Sequence, residues 1–282
     1  MDNFAVFILT HNRADKVVTY KCLRDSGYTG RIVLLIDNTD PDTDRYLELY
    51  GDQVHVFDKQ EWADKTDSGD NFKTNRGVIY ARNANFEIAK QMGIKYFMQF
   101  DDDYTHFRYH RDENNELIKQ GTYYIRNLDR CFEILLDYFK NIPVKCIAMA
   151  QAGDFIGGSS SGMHYNIKRK IMNTFLCDVD RPFKFQGRIN EDLTTSVELN
   201  VRGDVCFTIP IVSVTQKMTQ TSSGGMTELY LDNGTYVKSF YSVMYQPSSI
   251  CVAQMGNSHK RLHHRVTWKT ASPKIIEEKY KK

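Results

Sequence analysis

The chain predicts an α/β domain with a mostly parallel central sheet and flanking helices, and three observations carry that prediction. Two continuous apolar runs, Phe4-Ala5-Val6-Phe7-Ile8-Leu9 and Ile32-Val33-Leu34-Leu35-Ile36, stop abruptly on polar residues. Runs of that length suit parallel strands buried on both faces. A helical stretch separates them, giving a β-α-β opening. A third apolar run, Tyr96 to Phe100, ends on three consecutive carboxylates, Asp101-Asp102-Asp103.

Between the first two strands, Ala14 to Asp25 carries Val17, Val18, Tyr20, Cys22 and Leu23 and is closed by Ser26-Gly27, which predicts a helix. Val54-His55-Val56-Phe57 reads as a short third strand, and the polar stretch Lys59 to Thr74 as a loop. Val78 to Gln91, ended by Met92-Gly93, predicts a helix, and Ile94 to Phe100 the strand before the carboxylates. Past residue 103 the alternation gives way. A hairpin is expected around Asp112-Glu113-Asn114-Asn115, a helix over Leu128 to Lys140, and strands over Cys146 to Ala150 and Val205 to Val214. Gly157 to Gly162 is too glycine-rich to pack a core; without Gly-Lys-Ser/Thr it is no Walker A loop, and it suits close backbone approach to a ligand. Thr219 to Met226 reads as a loop able to close over a bound nucleotide. With no repeat in evidence, a single domain is expected over 1–256, with a nucleotide-binding half (1–103) and an acceptor half (104–256), followed by a basic segment, 257–282.

At 282 residues, 41% hydrophobic and 26% charged, the composition is that of a globular protein with a sizeable core. No run approaches the roughly 18 apolar residues that a bilayer span needs, and the start is not a basic and apolar leader. The expectation is a cytoplasmic protein with no membrane partner. Six cysteines without a Cys-x-x-Cys pair signal neither a zinc knuckle nor a disulfide framework. The net charge of +2 hides an asymmetry: His259 to Lys282 holds eight of the 37 basic and two of the 35 acidic residues, leaving 29 against 33 elsewhere. A basic tail on a mildly acidic body suggests a polyanionic partner.

Asp-x-Asp also occurs at Asp40-Asp42, Asp42-Asp44 and Asp178-Asp180, in turn-like stretches that read as solvated. Only Asp101 to Asp103 follows a buried-type run, at the carboxyl end of a strand, where ligands of open α/β sheets gather. Carboxylates crowded there repel one another, and their natural partner is a divalent cation, which suggests a phosphate ligand. If strand geometry persists, Asp101 and Asp103 face one side and Asp102 the other.

Read together, a strand before Thr10-His11-Asn12-Arg13, a strand before Asp37, the helix start Ala81-Arg82-Asn83, and a strand before Asp101-Asp102-Asp103 follow the order used by GT-A glycosyltransferases, which the chain resembles. The resemblance implies a Rossmann-like fold and a UDP-sugar donor. It places Thr10, His11, Arg13 and Asp37 on the base and ribose, and Arg82 and Asn83 near the nucleotide. Asp101 and Asp102 fall at the ribose or a metal-bound water. Asp103 becomes the chief ligand of Mn²⁺ or Mg²⁺, with Asp101 second and His259 a late histidine able to complete the site. Asn190-Glu191-Asp192 opens a further helix, where acidic residues also suit the positive helix end. In inverting relatives such a pair supplies the general base, here Asp192 first and Glu191 second; without a base there, retention would follow.

A narrower resemblance rests on Gly187-Arg188-Ile189-Asn190-Glu191-Asp192 and on Thr219 to Thr227, which are similar to the phage glycosyltransferases associated with TET/JBP-type base oxidation. It implies as acceptor the hydroxyl of a 5-hydroxymethylpyrimidine in DNA, hydroxymethylcytosine first, in a base exposed from the stack. The basic C-terminus then offers phosphate contacts, and Tyr104, Phe107, Tyr109, Tyr123, Tyr124 and Trp268 offer stacking surfaces, although each aromatic alone fits a core position. Two other readings stand beside it: a GT-A transferase acting on protein or glycan, and a non-catalytic nucleotide- or DNA-binding module. The carboxylates at 101–103 and 191–192 speak against the second.

Overall fold

A computed structural model describes residues 3–118, 123–155, 169–171, 173–217, 234, 236–256, 260–271 and 278. Strands β1 (Phe4–Leu9), β2 (Arg31–Asp37), β3 (Val54–Phe57) and β4 (Tyr96–Asp101) lie side by side in the order β3-β2-β1-β4, all parallel. Every residue of β1 is buried, so its continuous apolar run reflects packing on both faces. Strands β5 (Tyr104–Tyr109), β6 (Tyr123–Tyr124), β7 (Cys146–Ala150), β8 (Phe175–Asp178) and β9 (Cys206–Gln216) extend the sheet in the order β4-β8-β7-β9-β5-β6. Here antiparallel pairing enters, at β4–β8, β8–β7, β9–β5 and β5–β6, while β7 and β9 remain parallel. The sheet is a parallel Rossmann-like half joined to a mixed half.

Helices cover both faces. On one, α1 (Val18–Asp25) and α5 (Leu128–Lys140) close over Phe4, Val6, Ile8, Phe100 and Phe107. The inward stripe of α5, Leu128, Cys131, Phe132, Leu135, Leu136 and Phe139, follows helical spacing, and Asn127 caps it by accepting from Arg130 N. On the other face, α4 (Ile79–Gln91) and α6 (Glu191–Arg202) pack on Ala5, Phe7, Phe97 and Phe175. Each fully buried apolar side chain contributes about 1.5–3 kcal/mol. Outside α6 lie α7 (Lys238–Tyr245), the hairpin β10 (Ile250–Met255) and β11 (Arg261–Val266), and α8 (Trp268–Ala271). They bury Leu193 and Val197 against Ile250 and Ala271. That second layer explains why α6 is buried from Glu191 through Asn200.

Several expectations need correction. The helix read from Ala14 is split, a 3-10 turn at Ala14–Lys16 preceding α1. The stretches read as turn and loop contain α2 (Thr43–Tyr50) and α3 (Lys59–Asp64), the latter capped by Asp58, which accepts from Glu61 N. Asp40 and Asp178 are buried, not solvated: Asp40 accepts from Asn12 N and Asp42 N, and Asp178 sits beside Lys95 and Arg181. Tyr104 and Phe107 are core residues rather than stacking surfaces, whereas Tyr109, Tyr123 and Tyr124 are exposed. β11, from the segment expected as a basic extension, pairs along its length with β10.

Five cysteines are buried and Cys251 is half-buried, all free. Among the described residues, no helix is long and apolar enough to cross a membrane. Gly157 to Gly162, Thr219 to Met226 and His259 lie outside the described residues.

Candidate active site

The carboxyl ends of β1 and β4 meet where the strand order reverses, because the chain leaves β1 for β2 and β3 on one side and returns to β4 on the other. Ligands of such sheets bind in this crevice. β4 ends at Asp101, and Asp102 and Asp103 turn the chain into β5. Thr19 of α1 pins the turn. Its N–H donates to Asp102 O at 3.1 Å, and its hydroxyl donates to Asp101 O at 2.6 Å and accepts from Tyr104 N at 2.8 Å. The three carboxylates point to different partners.

Asp102 turns back to β1, accepting from Thr10 Oγ1 at 2.9 Å and from Arg13 Nη1 at 3.0 Å. Thr10 also shares a 2.8 Å hydrogen bond with the Tyr46 hydroxyl. Thr10 and Arg13, expected on the nucleotide, thus hold a buried carboxylate, which burial pushes up and Arg13 pulls down, with burial prevailing. At the next strand end, Asp37 Oδ2 lies 2.8 Å from His11 Nδ1 and 3.0 Å from Lys59 Nζ. Burial opposes its charge, but His11, Thr39 and Lys59 outweigh this and hold its carboxyl well below the usual range. A fixed anion here is suited to accepting hydrogen bonds from ribose hydroxyls.

Asp101 accepts from Arg82 Nη2 and from Asn173 Nδ2, both at 3.0 Å. Arg82 is 1% exposed, and its Nε donates to Glu191 Oε1 at 3.0 Å. Its guanidinium carbon stands 5.1 Å and 5.7 Å from the ring centres of Phe175 and Phe185. Burial works against its charge, but Asp101 and Glu191 prevail and keep it protonated. Asn83, expected near the nucleotide, is turned inward: its amide accepts from Phe185 N at 2.8 Å and donates to Phe185 O at 3.1 Å. It straps the 183–188 segment to α4.

Asp103 Oδ2 accepts from Gln216 Nε2 at 3.2 Å, and burial, with the charge of Asp101, pushes the carboxyl up to about 6. Among the described residues, Asp103 Oδ1, Asn173 Oδ1 and Arg82 Nη1 are buried without a hydrogen-bond partner. Two acceptor oxygens suit a hard cation and a guanidinium N–H suits a phosphate oxygen, so the residues fit a cation-bound diphosphate. No three His, Cys, Asp or Glu side chains among the described residues form a ready-made metal cluster. Asp101, expected as a second ligand, has both oxygens engaged by Arg82 and Asn173, which leaves Asp103 as the chief candidate.

Across Arg82 lies the start of α6. Asn190 adopts a left-handed conformation (φ 58°), and its Nδ2 donates to Lys238 O at 2.6 Å and lies 3.2 Å from His264 Nδ1. Burial pushes Glu191 up to about 7 against the pull of Arg82. Asp192 takes Lys170 Nζ at 2.5 Å and Leu193 N at 2.7 Å. Burial opposes its charge too, but Lys170 more than compensates and holds it below its ordinary range. His264, in β11, is pushed down to about 4 by burial and by His263. Through His264 the C-terminal hairpin meets Asn190, beside the acidic pair. Arg188 locks the approach: Nε and Nη2 clasp Asp70 at 2.8 Å and 3.0 Å, Nη1 donates to Thr74 O and Arg76 O, and Tyr241 donates to Asp70.

A model of the TET-associated glycosyltransferase family matches residues 4–225. The chain belongs to that family. By family it is a glycosyltransferase. No curated protein matches its sequence. Among solved structures, Staphylococcus aureus TarS 1–349 in complex with UDP-GlcNAc is similar at 11% identity and TM-score 0.44, with 86% of this chain and 66% of that chain covered. Glucosyl-3-phosphoglycerate synthase from Mycobacterium tuberculosis, in complex with Mn²⁺, UDP and phosphoglyceric acid, is similar at 10% and 0.47, with 95% and 90% covered. Mannosyltransferase PcManGT from Pyrobaculum calidifontis, in complex with GDP-Man and Mn²⁺, is similar at 12% and 0.45, with 87% and 74% covered. The transferase spans just under two thirds of TarS 1–349 and 37% of the longer TarS chain.

Reading the sequence missed Lys170, Asn173, Gln216 and His264 as members of this site. Gln216 ends a recognisable strand, and Arg188 lies within the Gly187–Asp192 segment, but nothing local marks Lys170 or Asn173.

Proposed function

We propose that this transferase moves a sugar from a UDP-sugar to the hydroxyl of a 5-hydroxymethylpyrimidine in phage DNA, hydroxymethylcytosine first, with inversion at the anomeric carbon. One observation carries the reading: Arg82 draws Asp101, at the end of β4, and Glu191, at the start of α6, onto a single buried guanidinium. The donor-side carboxylates and the acceptor-side acidic pair therefore belong to one site. Family membership supports the acceptor class.

In this reading Asp37 and His11 receive the ribose end of the nucleotide. Asp103 holds Mn²⁺ or Mg²⁺, which when bound offsets the negative charge of the diphosphate. Arg82 Nη1, without a partner among the described residues, supports the leaving oxygens. Asp192, kept ionised by Lys170, takes the proton of the acceptor hydroxyl. That oxygen bonds to the anomeric carbon as the sugar–phosphate bond breaks and its electron pair leaves with UDP. Glu191 fixes Arg82 between the two halves. Arg188 holds residues 70–76 against the segment that delivers the acidic pair.

The test is incubation with Mn²⁺, a panel of UDP-sugars and duplex DNA carrying hydroxymethylcytosine or hydroxymethyluracil, followed by digestion and mass spectrometry of the nucleosides. A hexose or pentose mass added to the hydroxymethyl nucleoside, abolished by EDTA, is the expected result, and NMR of the product gives the anomer. Transfer only to a protein or glycan acceptor would reject the DNA reading. Nucleotide binding without any turnover would reject the enzyme.

A further inference from the structure

The face of β5 and β6 opposite α5 carries His106, Arg108 and Tyr124, with Arg126 just beyond the strand. The register sets Arg108 opposite Tyr124, and paired residues share a face. Phe107, next in line, points the other way into the core beside α5. Tyr124 is 47% exposed and His106 and Arg126 are exposed. The patch is ordered by interactions of its own. Arg108 Nη2 donates to the Tyr124 hydroxyl at 2.9 Å, the guanidinium carbons of Arg108 and Arg126 stand 4.7 Å and 5.7 Å from the Tyr124 ring centre, and the His106 ring lies 5.1 Å from it. One tyrosine thus serves as a platform that orients two guanidiniums. Such an arrangement lowers the entropy lost when their N–H groups meet an anion with paired oxygens.

Position gives the patch its meaning. β5 begins one residue after Asp103, and at about 3.3 Å per residue His106 to Arg108 lie roughly 10 to 17 Å along the strand from it. Phosphates on one strand of B-DNA recur about every 3.4 Å of helix axis, so this distance corresponds to about three to five nucleotides from a base placed at the site. We infer that Arg108 and Arg126, held by Tyr124, grip the phosphate backbone of the DNA strand that presents the acceptor base, and so position it. This rests on the DNA reading above. Two cations around one ring favour a polyanion of regular spacing over a neutral glycan, for which hydroxyl and amide partners would be expected.

The test is fluorescence anisotropy of the full chain with a duplex oligonucleotide containing hydroxymethylcytosine, from about 50 to about 200 mM salt. Removing one phosphate-binding cation should flatten the slope of log affinity against log salt by about 0.9. The R108Q/R126Q double variant is expected to show a slope shallower by about 1.8, R108K/R126K to recover most of it because charge is kept, and R130Q, an exposed arginine on α5, to match wild type. Wild-type slope in R108Q/R126Q, or an equal flattening in R130Q, would overturn the inference while leaving the DNA reading intact. Weaker binding of the double variant to a heparin fragment but not to DNA would overturn it in favour of an anionic glycan. Absence of any salt-dependent DNA binding by the wild-type chain would sink both.

Discussion

Arg82 and Glu191 are 109 residues apart in the chain and 3.0 Å apart in the fold, joined by a hydrogen-bonded ion pair shielded from solvent. A charge so placed is stable only while its partners remain, and Asp101 is the other partner. The pair is thus a weld between the two halves of the site and a point at which stability and chemistry are coupled.

Arg82→Met removes the cation and strands two carboxylates in a dry pocket. The expected cost is about 3 to 5 kcal/mol by urea denaturation, in the range found when one member of a buried pair is deleted. Arg82→Lys keeps the charge but loses the fork and the packing on the Phe175 and Phe185 rings, and should cost less. Equal stability of wild type and Arg82→Met would show that the pair holds nothing together.

Asp103→Asn separates the cation role from folding. The folded-state value near 6 lies above the unfolded value of 3.8, so this group's stabilising contribution is fully present below about pH 4 and is lost as pH rises through about 6. A neutral Asn does not suffer that loss. Without added cation the variant should therefore match wild type near pH 4 and be more stable at pH 8, by about 1 to 2 kcal/mol after allowance for partial solvent screening. Mn²⁺ should raise the wild-type melting temperature and leave the variant unmoved; a Mn²⁺ response retained in Asp103→Asn would remove Asp103 as the ligand.

Lys170→Met tests the base. Lys170 is what holds Asp192 below its ordinary range against the effect of burial, so its removal should let the Asp192 value rise. The acid limb of the kcat/KM profile should move to higher pH, with a further drop of about tenfold or more at neutral pH. Asp192→Asn should retain UDP binding by calorimetry and lose transfer. An unshifted acid limb in Lys170→Met would transfer the base assignment to Glu191.

Arg188 and Asp70 form a two-point clasp on residues 67–76, and the prediction is a coupling. Either Arg188→Met or Asp70→Asn alone should destabilise by about 2 to 4 kcal/mol, and the double variant by much less than the sum. Amides over 67–76 should lose hydrogen-exchange protection in both single variants. Additive costs would mean that the two side chains act independently.

The strand runs before Thr10, Asp37 and Asp101 were legible from sequence because parallel strands buried on both faces need uninterrupted apolar residues. The carboxylates that follow stand out because no core tolerates three in succession. The short α2, with Tyr46 as its one buried residue, has no apolar stripe to reveal it. β8 is four residues long, and nothing in Phe175–Asp178 announces that it will lie antiparallel between β4 and β7. β11 was hidden by its charge, since Arg261 to Arg265 is basic on a hairpin that packs few apolar side chains.

The sequence by itself determined the Rossmann-like opening, the crevice at the ends of β1 and β4, and the carboxylates that line it, because hydrophobic periodicity and the end of an apolar run are local properties. Tertiary structure alone decided what each carboxylate does. Asp102 is held by Thr10 and Arg13, Asp101 by Arg82 and Asn173, Asp192 by Lys170, and Asp103 keeps a buried oxygen without a partner among the described residues. These assignments depend on charged and polar groups brought within about 3 Å by segments up to 92 residues apart. Electrostatic energy falls with distance in space and takes no account of distance along the chain.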